Sequence, residues 1–83
     1  MAAIKVNGET IRPEDLCIGS DNDHQSLIEY WAIHEIEDCC DDEDQCKRLM
    51  DLINAFSRSP ESTSLTFSAD VEGEHRTFII KKI

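Results

Sequence analysis

The sequence predicts an α+β domain in two layers, with two helices packed on an antiparallel sheet made from N- and C-terminal hairpins, in the order ββααββ. Three observations carry this. Asn7-Gly8 sits between two short extended runs; two successive stretches repeat apolar residues at three and four; and Leu65 to Val71 alternates apolar with polar before a return run begins at Arg76. With 83 residues the chain makes a single domain, residues 1–83, because either half alone would be too small to bury a core. Hydrophobic residues at 40% and charged residues at 31% are those of a folded chain rather than a disordered acidic tail.

Asn-Gly accepts the positive φ angles of a type I′ turn, which pairs Val6 with Glu9 and Ile4 with Ile11. Ile4, Val6 and Ile11 then share a core face, and Lys5, Thr10 and Arg12 the other. Pro13 ends the second strand, and Pro13-Glu14-Asp15-Leu16 forms a single helical turn before the polar Gly19–Asp23 connection. Whether the two hairpins join in one sheet is open at this level.

A helix is expected from about Asp23 to Cys40, entered through Asn22 or Asp23 as cap, with Ile28, Ala32, Ile36 and Cys39 as its apolar stripe. Tyr30, His34, Glu37, Asp38, Asp41 and Asp42 line the opposite side. Carboxylates at a helix C-terminus oppose the macrodipole, a local penalty that an early helix end would relieve. A second helix is expected from about Asp42 to Ser57, with Asp42, Glu43 and Asp44 in its first turn, where negative charge is favourable. Its apolar seam is Cys46, Leu49, Ile53 and Phe56, flanked by Met50 and Leu52, with Lys47, Asp51, Asn54 and Arg58 turned outward. Ser59-Pro60-Glu61-Ser62 is a surface turn. In the last hairpin Glu72-Gly73-Glu74-His75 makes the turn, so Val71 opposes Arg76, Ala69 opposes Phe78 and Phe67 opposes Ile80. Ile79 and Ile83 point the other way.

Charge distribution is the feature that bears on function. Between Pro13 and Cys46 lie twelve acids and no Lys or Arg, whereas the rest of the chain carries six acids against eight bases. The whole formal charge of −10 therefore comes from the middle stretch, which points to a cationic partner. The densest part is Glu35, Glu37, Asp38, Asp41, Asp42, Glu43 and Asp44, seven acids in ten residues. One reading is a solvated surface that also serves a helix N-terminus. The sharper one is a rigid array of carboxylates that imitates nucleic-acid phosphates. Carboxylates four residues apart on a helix lie about 6 Å apart along the axis, comparable to the charge repeat of a duplex. Direct binding of DNA or RNA is disfavoured by the same charge, since Lys47, Arg48, Arg58, Arg76, Lys81 and Lys82 are too few and too mixed to make a phosphate track.

Tyr30 and His34 border the acidic face and complete the candidate partner-binding set. Trp31 suits the edge of a small core better than an interface anchor. Ile79 and Ile83 offer a face on which two copies can pair, or cover the end of the sheet. No catalytic residue is expected: His24, His34 and His75 stand in no motif that positions a nucleophile or a metal, and there is no Gly-rich phosphate loop. No cofactor or metal is expected either. Cys39-Cys40-x5-Cys46 is not a zinc spacing, and the run from Asp21 has Ser26 where a calcium loop needs Gly and Ala32 where it needs Glu. The first residues, Met1-Ala2-Ala3-Ile4-Lys5, lack a secretory pattern, and no apolar run approaches the about 18 residues of a membrane helix. The expectation is a cytoplasmic protein with no membrane partner and reduced thiols.

In size, charge and lack of catalytic pattern the chain resembles, in type only, the phage and mobile-element proteins that block host defence nucleases, anti-CRISPR proteins among them. That resemblance implies a small, non-enzymatic, phage-encoded inhibitor acting in the host cell, occupying a basic protein surface of a nucleic-acid-binding complex. The alternatives are an antitoxin-like or co-regulatory interaction module, and a metal-binding protein.

Overall fold

The structure, a computed structural model, describes residues 2–83. Its strands are β1 (Ile4–Val6), β2 (Glu9–Ile11), β3 (Ser64–Val71) and β4 (Glu74–Lys82); its helices are α1 (His24–Ala32) and α2 (Glu43–Arg58). A 3-10 turn spans Pro13–Leu16, and α1 runs on into a π-helical turn, Ile33–Glu37. This is the expected α+β class and the expected ββααββ order.

Asn7 and Gly8 take φ angles of 52° and 86°, and the turn they make fixes Ile4 opposite Ile11 and Val6 opposite Glu9, as expected. Asn7 does more than turn the chain. Its side chain accepts a hydrogen bond from Ile79 N at 2.8 Å and donates to Thr77 O at 3.1 Å, which fastens the first hairpin to β4. The hairpins therefore join: β1 pairs antiparallel with β4, Ile4 against Lys82 and Val6 against Ile80, and the sheet order is β2-β1-β4-β3.

Two expectations need correction. The second hairpin turns in two residues, not four: Val71 pairs with Glu74, Ala69 with Arg76, Phe67 with Phe78 and Leu65 with Ile80. Glu72 and Gly73 have φ angles of 53° and 80°, both in the left-handed region of a tight primed turn, whose twist matches that of the flanking strands. The shift from the expected register is two residues, so every side chain keeps its face. The first helix ends at Glu37 instead of Cys40. Asp38 N reaches back to Ile33 O at 3.0 Å, a wide final turn, and the chain then leaves the helix to pair with the end of β3. Cys40 bridges to Val71, Asp41 N donates to Asp70 O at 3.3 Å, and Glu72 N donates to Cys39 O at 3.2 Å. Strand-like pairing thus takes the backbone groups that a longer helix would have used, in a segment where carboxylates disfavour a helix C-terminus.

The core lies between the helices and one face of the sheet. Ile28, Ala32 and Ile36 are buried as the stripe of α1 requires, with Leu27 and Trp31 widening it; Leu49, Ile53 and Phe56 face them from α2. Phe78 stacks on Phe67 with ring centroids 5.2 Å apart and meets Trp31 edge-on at 5.9 Å. Trp31 is 3% exposed, a core residue. Met50 packs against this core, whereas Leu52 is exposed. Lys82 closes the C-terminus of α2, donating from Nζ to Phe56 O and Ser59 O at 2.9 and 2.7 Å. Among the described residues no helix is long and apolar enough to cross a membrane.

Candidate partner-binding surface

The chain between the two helices is held at both ends. Asp42 caps α2, accepting from Asp44 N at 3.0 Å, and Glu43 and Asp44 fill the first turn, where the helix dipole favours them. Asp41 accepts from Gly73 N at 2.8 Å, so its carboxylate closes the β3–β4 turn. Gln45 clamps the same place through both amide atoms, donating to Asp70 O at 3.4 Å and accepting from Asp70 N at 3.2 Å. Side chains from 41 to 45 thus fix the acidic connection against the sheet.

All seven carboxylates of the run, Glu35, Glu37, Asp38, Asp41, Asp42, Glu43 and Asp44, are exposed. Among the described residues none is paired with Lys or Arg; the one ionic neighbour is His34, whose Nδ1 lies 3.6 Å from Asp38. Tyr30 tilts against His34 with centroids 4.5 Å apart, so Tyr30, His34 and Asp38 form a short row along α1 and its extension.

The seven do not share one helical face. Because the first helix ends at Glu37, Asp41 and Asp42 leave the line that begins at Tyr30. Glu37 opens to a groove beside Glu43, Asp44 and Asp51 of α2, while Glu35 turns to the sheet side, near Glu9, Asp15 and Arg76. The acids wrap one end of the molecule.

The β3–β4 turn adds charge to that end which the linear sequence did not connect with it. Glu72, Glu35 and Asp38 all act on Cys39, whose thiol is pushed up first by burial and then by these three carboxylates. Cys46 is pushed up by burial, then by Cys40, Glu37 and Glu43. Asp70, which receives the Gln45 clamp, holds His75 Nδ1 at 2.8 Å. Asp70, Glu72 and Glu74 alternate along the hairpin end, and that spacing was the available signal; their distance in sequence from Glu35–Asp44 hid the proximity.

Comparison with protein-family models, curated proteins and solved structures finds no match. The four cysteines are free thiols, and among the described residues no group of three or more His, Cys, Asp or Glu is placed to hold a metal ion. Chemically the surface offers hydrogen-bond acceptors and negative charge on a fixed frame.

Proposed function

We propose that the chain is a small, non-enzymatic binding protein whose acidic end occupies a basic, nucleic-acid-binding surface of a partner protein and inhibits it, in the manner of phage anti-defence and nucleic-acid-mimicking proteins. The observation that carries this is the run of exposed carboxylates, without Lys or Arg partners among the described residues, on a connection pinned to the sheet by Asp41, Asp42 and Gln45. A carboxylate already neutralised at home has little left for a partner; these are not. Because the frame is ordered before binding, the partner's cations meet a preformed array and less ordering entropy is lost. The attraction is Coulombic, so encounter is steered over long range and weakens with salt.

The test is capture from a bacterial lysate at low and high salt, followed by competition with duplex DNA. Glu37→Lys, Asp38→Lys and Glu43→Lys are combined, since none of these carboxylates closes a turn or caps a helix; Glu14→Lys, Asp21→Lys and Glu61→Lys together serve as the control of equal charge change. The expected result is a nucleic-acid-binding protein that salt elutes, DNA displaces, and the first triple variant loses while the control retains it. Equal capture of that protein by the first triple variant rejects the proposal.

A further inference from the structure

The end of the sheet beside Glu35 carries charge in positions that belong to a core. Glu9 pairs with Val6 and so shares its inward face, and Arg76 precedes Phe78 by two residues on the inward face of β4. Both side chains are nonetheless exposed, because this end of the face opens into a hollow of about 360 Å³. Half-buried Ile11 and Leu16 supply its accessible apolar wall, and buried Val6, Trp31 and Phe78 also line it. Glu9, Asp15 and Glu35 supply three carboxylates from β2, the 3-10 turn and the π-helical turn. Asp15 is held in place by Arg12 N, which donates to it at 2.9 Å. The single cation, Arg76, lies with its guanidinium carbon 5.1 Å from the Phe78 ring centroid and pairs with no carboxylate among the described residues. The hollow therefore has an apolar wall and a formal excess of two negative charges.

We infer that this hollow receives an arginine side chain of the basic partner, its aliphatic stem against Ile11 and Leu16 and its guanidinium between Glu9 and Glu35. The inference rests on the proposed function in one respect only, that the partner is basic. Arginine is preferred over lysine because a guanidinium is weakly hydrated, stacks on aromatic faces and meets carboxylates with a planar set of donors. Arg76 over Phe78 is an instance of that stacking within the hollow itself.

The chain has one Trp, Trp31, and it lines the hollow, so its fluorescence and its indole N–H resonance respond to occupancy there. The probe is N-acetyl-arginine amide, with N-acetyl-lysine amide, spermidine and N-acetyl-leucine amide for comparison. Saturable change with the arginine derivative, stronger than with any other probe and weakened roughly tenfold by Glu9→Gln with Glu35→Gln, is the expected result. Melting curves check that the double variant is folded. Absence of saturation, an unchanged response in the double variant, or lysine amide or spermidine binding as tightly as the arginine derivative overturns the assignment. None of those outcomes touches the Glu37, Asp38 and Glu43 surface, which the capture experiment tests separately.

Discussion

Asp23 begins α1 by accepting Ser26 N at 2.9 Å, and this backbone hydrogen bond, followed by that from the Ser26 side chain, holds its carboxyl below the ordinary value of 3.8. A depressed folded-state value means that its contribution to stability is present above 3.8 and is lost as pH falls through the lower folded value. Asp23→Ala should therefore melt earlier than the parent at neutral pH, and the two curves should converge in acid; a pH series of thermal melts reads this directly. The half-buried thiols behave in the opposite sense. Cys39 and Cys46 are raised above the ordinary 9.0 by burial and by carboxylates, so iodoacetamide should modify exposed Cys17 well before either at neutral pH. Equal labelling by mass mapping would mean that these thiols are neither buried nor surrounded by carboxylates. The Asp23 cap was legible in the sequence, as one of two candidates with Asn22, because its partner is three residues away; Asp42, expected in the first turn of α2, is its cap. Asp41 was not legible, because its partner, Gly73, is 32 residues away.

For the elements, periodicity was enough to place α2 and the buried faces of both hairpins, and the Asn7-Gly8 turn placed the first hairpin. Periodicity was not enough to set the second register. A slip of two residues leaves the same side chains inside, so the hydrophobic pattern cannot choose between a four-residue turn and the two-residue turn found; the left-handed angles of Glu72 and Gly73 make the choice. The end of the first helix was hidden for a related reason, since its competitor, the Cys40–Val71 bridge, is non-local. Glu72 sits where asparagine or glycine is more comfortable, the pair that the first hairpin uses at Asn7-Gly8. Glu72→Asn should stabilise the fold by about 1 kcal/mol, by easing the backbone and thinning the surrounding charge. Urea titration checks this as a higher midpoint at unchanged slope; a lower midpoint would show that the Glu72 side chain holds the turn in place.

Across the whole molecule, a formal charge of −10 on 83 residues opposes compaction. Sodium chloride should raise the melting temperature by screening that repulsion, over the same range in which it weakens partner capture. Calorimetry and pull-down on one salt series would separate the two effects, and a melting temperature that falls with salt would mean that attractive pairs outweigh the repulsion. Charge asymmetry was plain in the sequence; that it wraps one end and borders a hollow needed the sheet order. The β1–β4 pairing has a different consequence. It brings Ile83 N within 3.0 Å of Ala3 O and Ile83 O within 2.8 Å of His24 Nε2, so residues 3 and 83 meet beside the two central strands. A short peptide could splice them, and a new opening cut at Ser59–Ser62 would yield a circular permutant. Its central strands would then be neighbours in sequence, and it should fold faster than the parent because closing that pair no longer means closing nearly the entire polypeptide.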